Sequence, residues 1–194
     1  MALDVVILGP PGAGKGTQAK RISAEVGIPH IATGDMLREA IAKETEMGLR
    51  IKSIYDAGDL LPDDLMIELI RERLETGDTS DGFILDGFPR TVAQAEALDR
   101  MLEEIDRELL AVLHFQVPDE LAVERLHVRS LQEGRTDDTP AITRHRLEVF
   151  HRQTEPVVEY YRTKGILVGV HAERPIDAVF AEVQEVLETA STRQ

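Results

Sequence analysis

Gly9-Pro10-Pro11-Gly12-Ala13-Gly14-Lys15-Gly16-Thr17 joins two segments of different periodicity. Before it, Leu3 and then Val5-Val6-Ile7-Leu8 make the short apolar run of a buried strand. After it, Ala19, Ile22 and Val26 recur at helical spacing from Thr17 onward. A glycine-rich turn between such elements can aim several backbone N–H groups at one concave point, and the helix N-terminus adds partial positive charge there. Lys15 adds a full charge. A turn that only reversed the chain would have no use for a lysine beside the third glycine. The stretch therefore predicts a phosphate cradle formed by Gly12, Ala13, Gly14, Lys15, Gly16 and Thr17.

Further along, short apolar runs alternate with helical patterns. Strands are predicted at Pro29–Ala32, Phe83–Leu85, Leu109–Val117 and Ile166–Val170. Helical segments fall near 35–43, 48–57, 63–76, 91–105, 119–131, 140–163 and 176–190. Thr139 before Pro140 is an N-cap followed by proline at the first helical position. Pro156 should kink or restart the long helix, because it has no N–H to donate. Strands alternating with helices imply an α/β fold with a mostly parallel sheet covered on both faces. Ligands of such sheets bind beyond the carboxyl ends of the strands. Three polar stretches follow strand ends: residues 9–17, Thr33-Gly34-Asp35, and Asp86 to Arg90. Asp86 is placed to orient magnesium-bound water.

Composition narrows the function. The chain has 194 residues, 42% hydrophobic and 30% charged, enough for one domain with a sizeable core. Lysine and arginine total 22 against 36 acidic residues, a net charge of -14. That field repels polyanions, so nucleic acid and anionic membranes are not expected partners. With no cysteine, disulfides, thiolate zinc sites and cysteine nucleophiles are excluded. The longest apolar run, Leu109–Leu113, is five residues, against about 20 for a membrane helix. The N-terminal segment contains Asp4 and lacks a charged-then-apolar signal pattern, which predicts a cytoplasmic protein. Because Gly16 directly follows Lys15, the Thr17 hydroxyl comes one position later than a direct magnesium ligand usually does. That disfavours a GTPase switch and favours kinases that hold the metal through water and substrate oxygens.

Of the 22 basic residues, 17 are arginine. Several recur in a fixed order: Arg38 after Thr33-Gly34-Asp35, Arg90 closing Asp86-Gly87-Phe88-Pro89-Arg90, then Arg125 and Arg129 four apart, Arg135 in Gly134-Arg135-Thr136-Asp137-Asp138, and Arg146. Together with residues 9–18, the GDLLPD stretch at 58–63 and Gln94, these motifs resemble the adenylate kinase family along essentially the whole chain. The resemblance implies a P-loop NTPase core with a five-stranded parallel sheet flanked by helices (1–31, 62–127 and 139–194), an NMP-binding flap at 32–61 and a short lid at 128–138. The implied reaction is magnesium-dependent transfer of the terminal phosphoryl of ATP to AMP, giving two ADP.

By position, the resemblance assigns Gly12 to Thr17, Arg125, Arg129 and the main chain near Arg174 to ATP. Thr33, Arg38, Asp59, Leu60, Leu61, Gly87, Phe88, Pro89, Arg90, Gln94, Arg135 and Arg146 are assigned to AMP. Lys15, Arg90, Arg125, Arg129, Arg135 and Arg146 would carry the chemistry. Asp86 would meet magnesium through water. Asp137 and Asp138 would pair with lid arginines. The resemblance also implies a monomer. Only five residues separate Arg129 from Arg135, so the lid is the short form and no structural zinc is expected. A UMP/CMP kinase of the same fold is the alternative, and Gln94, whose amide can meet an adenine edge at two points, favours AMP.

Overall fold

The computed structural model describes residues 2–133 and 138–192. Among them, the five apolar runs become five parallel strands. β1 (Leu3–Leu8) is central, between β3 (Gly82–Asp86) and β4 (Ala111–Gln116). β2 (His30–Ala32) and β5 (Leu167–His171) form the edges, in the order β2-β3-β1-β4-β5. The chain leaves β1 toward one edge, returns through β3, and then continues on the other side of β1. That reversal opens a crevice above the end of β1, where residues 9–17 lie. Val6 pairs with Leu85 and Val112, and Ile7 pairs with Asp86 and Leu113, so the β1 and β3 ends are level.

Because neighbouring residues of a strand face opposite ways, a continuous apolar run serves two cores. Val5, Ile7, Ile84, Leu113 and Phe115 pack under Ile22 and Val183. Val6, Leu8, Phe83, Leu85 and Val112 pack on the other side with Leu98 and Tyr161. Asp4 is the polar exception in β1. It is wholly buried, and Arg107 Nε donates to its Oδ2 at 2.8 Å while Nη2 meets Oδ1. Burial raises the Asp4 carboxyl above its ordinary value, against the opposing pull of Arg107.

Nine α-helices are described: α1 (Lys15–Val26), α2 (Thr33–Ala42), α3 (Glu46–Ala57), α4 (Asp63–Leu74), α5 (Val92–Glu103), α6 (Asp119–Glu133), α7 (Pro140–Val149), α8 (Glu155–Thr163) and α9 (Ile176–Ser191). Most expected segments fall within a few residues of these. The fourth strand is shorter than expected, since Leu109, Leu110 and Val117 lie outside β4. The helical stretch expected over 140–163 is interrupted and restarts at Pro156 as expected, forming α7 and α8 separated by a π-helical turn, Phe150–Thr154. Pro156 stands in the first turn of α8, where its missing donor does no harm, and the widened turn absorbs the mismatch upstream. Thr139 caps α7 as expected, accepting from the N–H of Ile142.

Candidate active site

The cradle is assembled from backbone first. Gly12 has φ +87°, and a Cβ there would strike the backbone of Ala122 at the start of α6, so only glycine fits. Gly14 precedes α1 and exposes the helix N-terminus to the cleft. Lys15 folds back over this loop, its Nζ donating to the carbonyls of Gly9 and Pro10 at 2.9 Å each. Burial pushes its ammonium down to about 8; Asp86 opposes the shift, while Arg90, Arg146 and Arg129 reinforce it. The value marks a place where positive charge is crowded and partly dry.

Asp86 ends β3 beside the cradle. Burial alone would raise its carboxyl, but the approach of His30 and the charges of Lys15, His30 and Arg90 hold it below the ordinary carboxylate range. His30 Nε2 stands 3.5 Å from Asp86 Oδ2. A Cβ on Gly16 would lie 3.3 Å from that same oxygen, so glycine at 16 keeps the carboxylate uncrowded. One ionised carboxylate with open space beside a phosphate cradle fits magnesium, which takes few protein ligands and keeps its waters. Among the described residues, no group of three or more histidine and acidic side chains could hold a metal by itself.

A cavity of about 900 Å³ runs from the cradle past Asp86 to a second cationic group, Arg38, Arg90 and Arg146. Arg90 is fixed by its own loop: Nε donates to the carbonyl of Gly87 at 2.8 Å, and its backbone N–H donates to Gln94 Oε1 at 2.7 Å. Burial, with Arg146 nearby, lowers its guanidinium to about 10, still charged at neutral pH. Arg38 Nη1 donates to the Tyr55 hydroxyl at 2.8 Å, and Nη2 pairs with Asp35. Arg146 Nη1 reaches Asp138 Oδ1 at 3.0 Å. The same buried carboxylate takes Arg129 through Nε and Nη2, both at 2.8 Å. One aspartate thus holds two of the predicted arginines at the cleft wall.

A smaller adjoining cavity, about 60 Å³, is lined by Thr33, Leu60, Leu61, Asp59, Gly87 and Gln94 together with Arg38, Arg90 and Arg146. Gln94 is nearly fully buried, and both ends of its amide are engaged, Oε1 by Arg90 and Nε2 by Asp63 Oδ1 at 2.7 Å. Each bond uses one of the two N–H groups and one of the two oxygen lone pairs of the amide, so these contacts orient it and leave one donor and one acceptor position for a base edge. Thr33 Oγ1 donates to the carbonyl of Asp86 at 3.3 Å. At the opposite end of the larger cavity, Arg125 Nη1 donates to the Ala172 carbonyl at 2.8 Å and Nη2 to that of Glu173 at 3.3 Å. Gln18 Nε2 holds the carbonyl of Ile176 at 2.8 Å, so the loop carrying Arg174 is pinned from two sides.

Nearly all the predicted residues come together around these two cavities. Pro89 lines the larger one, but Phe88 does not line either; its side chain is wholly buried in the core below α5. Arg135 and Asp137 lie outside the described residues. Tyr55, Asp63 and His30 were not singled out from sequence. Asp63 closes the GDLLPD motif, which is the only local sign of it; a tyrosine on a helix and a histidine on an edge strand carry none.

Backbone N–H groups and one lysine at a strand end make a phosphate-binding-loop protein, and a second guanidinium cluster across the same cavity narrows the class to phosphotransferases that bring two anions together. A family model described as adenylate kinase matches residues 7–166. The chain is 48% identical to an adenylate kinase of Thermus thermophilus over 94% of its own length and 96% of the relative's. It is 44% identical to one from Archaeoglobus fulgidus (96% and 98%) and 42% identical to one from Shouchella clausii (95% and 98%). The chain belongs to the adenylate kinase family, whose members are ATP:AMP phosphotransferases.

Proposed function

We propose that the chain performs its family's reaction, MgATP + AMP ⇌ 2 ADP, with the loop at 12–17 holding the donor's phosphates and Arg38, Arg90 and Arg146 holding the acceptor's. The observation that carries this assignment is the single cavity with a cationic group at each end and Asp86 between them. AMP already presents an anionic oxygen, so no base is needed to deprotonate the nucleophile. The difficulty is electrostatic. Two unit charges about 4 Å apart repel by ~1 kcal/mol in water and ~4 kcal/mol near a protein surface. Lys15 and the arginines offset that repulsion and meet the charge on the phosphoryl in transfer. Magnesium, where bound, would supply positive charge to offset the charge developing on the phosphates. Asp86 would hold it through water.

Lys15 is proposed to release the Gly9 and Pro10 carbonyls and follow the transferring group. Arg125 and Arg129 join it from the donor side, with Arg135 completing the set from the lid. The main chain around Arg174 meets the donor base, and Thr33, Asp59, Leu60, Leu61, Gly87 and Gln94 surround the acceptor nucleoside. Phe88 is assigned to anchoring this wall through its buried ring, with Pro89, also buried, lining the larger cavity. Residues 32–61 act as a flap and 128–138 as a short lid, closing to exclude water and align the reactants, an alignment worth on the order of 7–11 kcal/mol. A monomeric, cytoplasmic enzyme belongs to the same proposal, supported by the net charge of -14, which opposes self-association and binding to polyanions. Among the described residues, no helix is long and apolar enough to cross a membrane.

A coupled assay of ADP formation from ATP with AMP, CMP or UMP tests the reading. AMP should be the preferred acceptor by kcat/KM. Preference for CMP or UMP would overturn the acceptor assignment.

A further inference from the structure

We propose that Tyr55 is a positioning residue for the acceptor site, holding Arg38 in place through its hydroxyl; the inference rests on the assignment of Arg38 to the acceptor phosphate. Arg38 lies on α2 and Tyr55 on α3, the two helices of the proposed flap. Their spacing is tight: a Cβ on Gly48 would run into the backbone of Ala40. This close pairing brings the Tyr55 oxygen within 2.8 Å of Arg38 Nη1. Asp35 takes a hydrogen of Nη2. Two of the five N–H donors of the guanidinium are thereby committed, and the others remain for an oxyanion.

The two partners act differently on the arginine. Asp35 fixes it at the expense of part of its charge. The phenol is neutral and fixes it without that loss. An arginine already held in one arrangement gives up less freedom when it binds phosphate. Tyr55 also lines the smaller cavity with Arg90 and Gln94.

The test compares Tyr55→Phe, Arg38→Ala and the double variant in steady-state kinetics, with thermal melting of each. Tyr55→Phe removes only the oxygen and should leave the melting temperature in place. Its KM for AMP should rise about three- to tenfold, as for loss of one hydrogen bond. Its kcat and its KM for ATP should stay within about twofold, because the contact serves the bound ground state and the transition state alike. In the Arg38→Ala background, the same change should add nothing.

An unchanged KM for AMP in Tyr55→Phe would overturn the proposal. So would a lowered one, which would mean that the hydroxyl competes with the phosphate. So would full additivity in the double variant. Should Arg38→Ala itself leave the KM for AMP unmoved, the acceptor-phosphate assignment falls as well. A strong Arg38→Ala effect with a silent Tyr55→Phe refutes the tyrosine's role alone.

Discussion

The two ends of the cleft gather positive charge by opposite means. At the donor end, nine consecutive residues do almost everything, and most of the attraction comes from backbone N–H groups and a helix terminus that stay where the fold puts them. At the acceptor end, the charge sits on long side chains from α2, the β3–α5 loop and α7, each steadied by a different partner: Tyr55 and Asp35 for Arg38, the Gly87 carbonyl for Arg90, Asp138 for Arg146. A backbone cradle is ready before its ligand arrives. A side-chain cluster must be held open against its own repulsion, and burial together with the neighbouring Arg146 lowers the Arg90 guanidinium. Damage to the two ends should therefore show up in different kinetic constants.

The largest effect is expected from Lys15→Met. It keeps the side chain's length and removes the one donor-end charge that can travel with the phosphoryl group. The kcat should fall about a hundred- to a thousandfold, with the KM for AMP nearly unchanged. ADP formation within a few-fold of the parent would break the assignment of the cradle. Arg90→Ala comes next, as the loss of a charge-assisted hydrogen bond at the acceptor end. Its kcat/KM for AMP should drop roughly ten- to a hundredfold while the KM for ATP moves less than about threefold. Equal losses toward both substrates would erase the division between the ends.

The same contrast explains what the sequence disclosed. The cradle was legible because its chemistry is contiguous and flanked by two clear periodicities. The strands were legible too, β2 least so, because a three-residue edge strand leaves little pattern. Their spatial order was not, since nothing in Val5-Val6-Ile7-Leu8 says which runs will lie beside it. Asp4 in the middle strand reads as a contradiction until Arg107, far along the chain, is seen to neutralise it. At the acceptor end, each arginine alone looked like a solvated surface charge, and only their joint order pointed to a site. Which partner holds each one stayed hidden. Asp138 was seen as a partner for lid arginines, yet its simultaneous grip on Arg129 and Arg146 depends on α6 and α7 lying side by side.

The donor end also carries a stronger pH signature than the acceptor end. Lys15 titrates near 8 in the free protein, because burial and the neighbouring guanidinium groups favour its neutral form. Bound phosphates favour the charged form. Below pH 8 the lysine is already protonated and binding takes up little; at pH 7 the uptake should be roughly a tenth of a proton. Above pH 8 the free protein has lost that proton and must regain it. ATP affinity should therefore fall about tenfold between pH 7 and pH 9, with proton uptake rising toward one. Calorimetry in buffers of different ionisation enthalpy measures both. AMP binding should show a weaker dependence, since Arg90 titrates near 10. A steeper pH dependence for AMP than for ATP would reverse the comparison.

The smallest effect concerns how the flap is set against the rest of the acceptor end. His145 on α7 meets Asp59, just beyond α3, with Nε2 and Oδ1 at 2.6 Å. One residue to either side the chains pack closely, for a Cβ on Gly58 would lie 3.0 Å from Arg146 Cγ. Both members of the pair are well exposed, at 39% and 51%, so water competes for the contact. His145→Ala should raise the KM for AMP by no more than about threefold and leave the KM for ATP alone. A rise well beyond tenfold would mean that one exposed contact, rather than the packing of Gly58 on Arg146, sets the flap. The acceptor end would then owe its shape to a single surface pair.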